Sequence, residues 1–201
     1  MSDLTDVSDV RDVSGVTLEP APVRRRHLVR WIAGGVALMV GVLVAIVAIS
    51  EPAQTRVSQS PLLGKAAPPA SGPIVSGPEG SIDTLAGRWV VVNFFATWCT
   101  PCVKEHPELV RFAVRHEKAG DAAVLQVLYG DRQEKARAFL EKRGGDWTVV
   151  DDPRGEIALD WGVRGIPESY LVSPAGVVVA KITGGVTLEG LERLLRERRN
   201  A

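Results

Sequence analysis

Cys99 and Cys102 are the two cysteines of the chain, separated by Thr100 and Pro101 in the stretch FFATWCTPCVKE. Two thiols so placed can form a structural bridge, half of a metal site or a redox pair. A bridge closing so short a loop removes little entropy from the unfolded chain, so it is a weak staple. A zinc site needs about four ligands, and the histidines His27, His106 and His116 are scattered; no metal is expected. The redox reading follows from position. An apolar run leads into Cys99 and a helix begins at it, so unpaired backbone N–H groups and the helix dipole stabilise a thiolate there. Cys99 is then the nucleophile, and Cys102, about one turn in, the shielded resolving thiol. Pro101 suits the first helical turn, where its missing N–H costs nothing.

Around this pair the sequence offers further candidates. Glu105 stands three residues after Cys102 on the same helical side, either as a proton-exchanging group or as a solvated carboxylate. Trp98 suits a flat wall beside the thiol, with simple packing as the alternative; with Thr100 and Pro101 it makes up the candidate substrate-contact surface. Trp89, Trp147 and Trp161 read as packing residues, and His106 as structural, with modulation of Cys102 as the alternative. Val103 stands where covalent haem attachment requires histidine, so the chain is not itself a c-type cytochrome. A peroxidase would separate its two cysteines more widely. A non-catalytic binding module stapled by the disulfide remains an alternative, and its bridge would survive mild reductant.

The elements that must position these residues alternate between strand and helix from about Ser81 onward. RWVVVNFFA and AAVLQVLYG are continuous apolar runs suited to strands buried on both faces. Pro101 to about Lys118 reads as the helix between them. DRQEKARAFLEKRGG is a second helix, opened by Asp131 as N-cap and closed by Gly144. WTVVDD, ESYLVS and VVVAKIT are further strands, the last two joined by a turn at Pro174–Gly176. TLEGLERLLRERR closes the pattern with Leu188, Leu191 and Leu195 on one helical face. The fold class is α/β, with a central mixed sheet flanked by helices.

Upstream, WIAGGVALMVGVLVAIVAIS (31–50) is uncharged and apolar over the roughly 20 residues that a bilayer-crossing helix requires. Arg24, Arg25, Arg26 and Arg30 precede it. The positive-inside bias then keeps the N-terminus in the cytoplasm and sends the remainder outside. A cleaved signal peptide is the competing reading, with Ala48 and Ser50 small enough for a cleavage site. The expected organisation is a cytoplasmic tail with a basic flank over 1–30, disordered to about residue 23; a transmembrane signal anchor over 31–50; a Pro/Gly-rich linker and approach over 51–80; and the catalytic domain over 81–201. The formal net charge is zero over 201 residues, which offers no broad basic face for nucleic acid.

FFATWCTPC resembles the thioredoxin active site. Pro107, five residues after Cys102, matches thioredoxin's kinking proline, and GVRGIPESYLV resembles the stretch that carries its cis-proline, at Pro167. The similarity is closer to the membrane-anchored TlpA/ResA/DsbE group, whose DsbE branch is also called CcmG. SPLLGKAAP, NFFATWCTPCVKEHPE and WGVRGIPESYLVSPAGVVVAKITGG carry it, over about residues 60–198. Two departures stand out: thioredoxin's buried aspartate falls on Asn93, and the group's acidic and aromatic residues after KAAP are replaced by PAS. The resemblance implies a thioredoxin-like fold and a dithiol reductase of cytochrome c maturation without cofactor. It further implies apocytochrome c as substrate, a membrane thiol transporter as electron donor, and a functional glutamate at Glu105. Ile166, Pro167 and the CcmG-like Glu168 would bind substrate or adjust the thiols.

Overall fold

In the computed structural model of the chain, the backbone is described over residues 24–49 and 56–200, and side chains over 29–45 and 56–200. The tail expected to about residue 23 lies outside the described residues. The chain divides into two units, Met1–Ser50 and Glu51–Ala201. In the first, helix α1 (Arg24–Ile49) covers most of the expected span, and its described side chains are exposed. Among the described residues no helix is long and apolar enough to cross a membrane.

The second unit is built on β1 (Arg56–Ser58), β2 (Ile74–Ser76), a 3-10 turn (Ile82–Leu85), β3 (Trp89–Phe95), α2 (Thr100–Glu117), β4 (Ala122–Tyr129), α3 (Gln133–Arg143), β5 (Val149–Asp152), α4 (Glu156–Asp160), β6 (Glu168–Val172), β7 (Val178–Thr183) and α5 (Leu188–Arg199). They form a seven-stranded sheet in the order β1-β7-β6-β3-β4-β5-β2. β3, β4 and β5 are parallel neighbours, whereas β6 joins β3 and β7 joins β6 antiparallel. The sheet is therefore mixed, as the closing hairpin predicts.

The apolar run of β3, broken only by Asn93, follows from its central place, buried on both sides. Val91 and Phe95 face one core with Leu109 and Phe112 of α2, Leu140 of α3 and Leu191 and Leu195 of α5. Val90, Val92 and Phe94 face the other with Ala158, Trp161 and Tyr170. Alternation on a strand puts Asn93 on the first face, beneath α2.

Three features of the structure differ from the sequence expectation. Residues 56–58 and 74–76, inside the expected linker, form the sheet's edge strands β1 and β2, paired with β7 and β5. Their three-residue length leaves no alternation to read; pairing with a longer strand holds them. The five-residue α4 likewise has no counterpart in the sequence expectation. Asp131 is not the N-cap of α3: Arg132 holds that position, without a side-chain cap. The Asp131 carboxylate accepts instead from Thr97, in the loop before Cys99, and from the Arg132 N–H.

Candidate active site

α2 begins where β3 ends, and Cys99 is its N-cap. Cys99 has extended backbone, and its Sγ accepts the Cys102 N–H at 3.3 Å. Thr100 and Pro101 occupy the first helical turn and are exposed. The two cysteines are joined as a disulfide, and with the bridge closed Cys99 is 5 % exposed and Cys102 3 %. Cys99 Sγ lies 3.7 Å from the Ile166 carbonyl oxygen, and the Ile166–Pro167 peptide is cis. The two segments quoted separately in the sequence, WCTPC and GIPE, therefore meet at one point.

Trp98 is exposed, and its Nε1–H donates to the Gly130 carbonyl at 3.0 Å. The adjacent Thr97 donates both its backbone N–H (2.7 Å) and its hydroxyl (2.6 Å) to Asp131 Oδ2. Burial raises the Asp131 pKa, but the Thr97 hydroxyl and the backbone N–H groups of Arg132 and Thr97 outweigh it and hold the carboxyl below its ordinary range. The loop carrying the first cysteine is thus fastened to the loop after β4. The sequence gives Asp131 a helix-cap signal, and nothing in it points to Thr97 as the partner.

Glu105 is 3 % exposed, which excludes the solvated-carboxylate alternative. Its Oε1 accepts from Asn93 Nδ2–H and its Oε2 from the Val186 N–H, both at 2.8 Å. Burial pushes its pKa up to about 7, against the opposing pull of those two donors. Asn93, at the thioredoxin aspartate position, thus does not substitute for an acid; it holds one. Asn93 also donates to Ser169 Oγ at 2.9 Å.

Ile166 is half-buried and Pro167 buried. Glu168 opens β6 on the sheet face opposite α2, opposite Phe94 in register. It is 4 % exposed, and its Oε2 takes Lys181 Nζ at 2.8 Å and the Arg164 N–H at 3.3 Å. Burial works against the Lys181 ammonium, but its bonds to Glu168 and Tyr170 prevail and hold its pKa above the ordinary lysine value. The same ammonium donates to the Gly162 carbonyl at 2.9 Å. Glu168 is consequently no open substrate-facing charge, as direct contact would require. It braces the 162–168 loop that presents Ile166 and Pro167. Lys181, which makes that bracing possible, carries no sequence signal beyond being a lysine in an apolar strand.

His106 is buried, with its Nε2–H donated to the Gly144 carbonyl at 2.8 Å and its ring packed on Phe139 and Trp147. Burial lowers its pKa from the ordinary histidine value, against the pull of the Gly144 carbonyl, and its contacts are those of a packing group. Among the described residues no cluster of three or more His, Cys, Asp or Glu is placed to hold a metal ion.

The AhpC/TSA family profile matches residues 63–181, more than half of the chain. The chain is 38 % identical over 125 residues to the thiol:disulfide interchange protein CycY of Rhizobium leguminosarum bv. viciae, covering 62 % of this chain and 65 % of that protein. It is 35 % identical over 130 residues to DsbE of Allochromatium vinosum, covering 63 % of this chain and 70 % of that one. Its match to HelX of Rhodobacter capsulatus spans 60 % of HelX, so the chain covers somewhat under two thirds of both CycY and HelX. Among solved structures, a DsbE-type thiol:disulfide interchange protein of Chlorobium tepidum superimposes with a TM-score of 0.59 at 27 % identity, covering 67 % of this chain and 96 % of that one. With a thioredoxin-like fold and a Cys-x-x-Cys bridge at the head of α2, the chain belongs to the AhpC/TSA family and to the DsbE-type thiol:disulfide interchange proteins.

Proposed function

We propose that this protein is a membrane-anchored thiol:disulfide oxidoreductase working outside the cytoplasm in the reducing direction, on the CxxCH disulfide of apocytochrome c before haem attachment. The observation that carries the redox reading is the bridge at the N-terminus of α2, with Cys99 Sγ against the Ile166 carbonyl beside the cis proline. In the reduced protein, the Cys99 thiolate attacks one sulfur of the substrate disulfide. That bond breaks, and the departing substrate thiolate takes a proton from water. Cys102 passes its proton to the Glu105 carboxylate and attacks Cys99 Sγ, which releases the second substrate thiolate and leaves the bridge of this structure. A carboxyl titrating at about 7 suits that transfer at neutral pH.

An extended substrate segment would lie along the Ile166–Pro167 backbone in a strand-like manner, with Trp98, Thr100 and Pro101 exposed beside it. Two electrons are then owed to the protein, and a membrane thiol transporter would supply them. The anchor is supported by the exposed apolar side chains of α1, among them Trp31, Leu38 and Leu43, which are costly to leave in water. The arginines before them favour a cytoplasmic N-terminus.

A second reading, a general reductase or oxidase of outward-facing proteins, is favoured by one observation. The Glu168 carboxylate is committed to Lys181 and Arg164, so it leaves no free charge to select one substrate. The reduction potential separates reductase from oxidase. A value nearer thioredoxin's about −270 mV than the about −120 mV of strong oxidants is expected; a value at the oxidising end would contradict the reducing direction.

A further inference from the structure

Behind Glu105 a line of buried polar side chains crosses the sheet. Trp147 Nε1–H donates to Gln126 Oε1 at 2.9 Å, Gln126 Nε2–H to Asn93 Oδ1 at 2.8 Å, and Asn93 Nδ2–H to Glu105 Oε1 at 2.8 Å. Gln126 is 1 % exposed, Asn93 0 % and Trp147 6 %, so the links are made between buried side chains. An amide side chain can reverse its oxygen and nitrogen at almost no steric cost, and its orientation is set by its partners. Here the indole decides. Its N–H is only a donor, so Gln126 must turn its oxygen toward it and its nitrogen toward Asn93. Asn93 must then offer nitrogen, not oxygen, to Glu105. The Ser169 hydroxyl can rotate to donate or accept, so it imposes no direction. Trp147 is itself held at the backbone by Gly77, whose φ is +80° and at which a Cβ would stand 2.0 Å from the Trp147 carbonyl oxygen.

We propose that Trp147 and Gln126 are positioning residues of the redox site, which fix the direction of hydrogen-bond donation through the sheet so that Asn93 presents an N–H to Glu105. The inference rests on the redox reading of the Cys99–Cys102 pair for its importance, but its test does not. With the relay intact, both Glu105 oxygens meet fixed donors, Asn93 and the Val186 N–H. That cradle fits the carboxylate and restrains the rise that burial imposes. With the indole N–H gone, Gln126 and Asn93 can both turn over, and the Asn93 oxygen then faces Glu105 as an acceptor that only the protonated acid satisfies.

The groups around Glu105 are few. Asn93 from β3, the Val186 N–H and the backbone of Gly185 are neutral, Ser169 bonds Asn93 from β6, and Cys102 lies on its own helix. In the oxidised protein Cys102 does not titrate. His106, next in sequence, is turned to Gly144 and Trp147; a change in its charge is followed on its own ring resonances.

The test is a titration of the Glu105 side-chain carboxyl carbon by NMR in the oxidised full-length protein, for the wild type, Trp147→Phe and Gln126→Met. Both variants are expected to raise the Glu105 midpoint by about one pH unit, a tenfold gain in proton affinity. A residue that merely packs would change stability and leave this midpoint in place. Should either substitution prevent folding, β-(3-benzothienyl)alanine at position 147 keeps the ring shape while removing the N–H, and carries the same expectation. A Glu105 midpoint equal to that of the wild type in the folded variants overturns the proposal. A failure of the redox reading would appear elsewhere, in the absence of exchange with any disulfide, with the Glu105 titration untouched.

Discussion

At the scale of single residues, the proposed chemistry depends on an acid kept out of water. Glu105 lies three residues after Cys102 on the inner side of α2, and its folded-state pKa of about 7 stands above the ordinary 4.5. The sign of the pH effect follows: between those values the folded protein holds a proton that the unfolded chain has released. The stability tied to neutral Glu105 is therefore full below about 4.5 and is lost as pH rises to about 7, roughly 3 kcal/mol in all. Glu105→Gln cannot titrate. The difference in unfolding free energy between wild type and Glu105→Gln should accordingly shift against the wild type by that order as pH rises through the interval, measured by denaturant titration at several pH values. A difference constant with pH would mean that Glu105 is not a buried acid. Glu168 illustrates how far residue type alone can be read: its position after the proline is visible in GIPE, whereas its ion pair with Lys181 arises because β6 and β7 pair so that Tyr170 stands opposite Lys181.

At the scale of elements, the site is assembled by two loops that other loops hold. The loop from β3 to α2 is tied to the loop after β4 through Thr97, Trp98, Gly130 and Asp131, and the 162–168 loop is tied to β7 through Lys181. Asp131→Ala removes the acceptor of both Thr97 bonds. It should cost roughly 1–2 kcal/mol of stability and speed exchange of the Thr97 amide hydrogen; an unchanged Thr97 exchange rate would show that the tie is not holding the loop. At the other end of α2, the His116 ring lies between Asp121 and Glu192 at 2.8 and 3.2 Å, fastening that helix to α5. The long elements are legible because each repeats a local signal. β3 and β4 are apolar apart from Asn93 and Gln126, α2 starts with Cys99 and Pro101, and Thr187 caps α5 as its side chain accepts the Gly190 N–H. The ties were not legible, since Thr97 with Asp131 and Trp147 with Gln126 are pairs separated in sequence whose meeting depends on strand register. The short β1, β2 and α4 were hidden for the same reason: their partners, not their own residues, make them regular.

At the scale of the whole molecule, the sheet places the disulfide at the end of β3, where the head of α2 and the turn before β6 converge. The proposed anchor gives this domain a side of the membrane. A reporter active only outside the cytoplasm and fused after Ala201 is expected to work, and the same reporter fused after Val23 to fail; the opposite pattern would reverse the proposed topology. The central claim is that Cys99 attacks, Cys102 resolves and a CxxCH disulfide is the preferred substrate. It is tested most directly by trapping: Cys102→Ala cannot complete the second exchange, so its Cys99 should hold an oxidised CxxCH peptide as a mixed disulfide. Cys99→Ala should trap far less, and an unrelated disulfide peptide of equal length should be captured less than the CxxCH peptide. Equal capture of the two peptides by Cys102→Ala would contradict the cytochrome assignment, and capture of neither, with a wild-type bridge that survives mild reductant, would contradict the redox site itself.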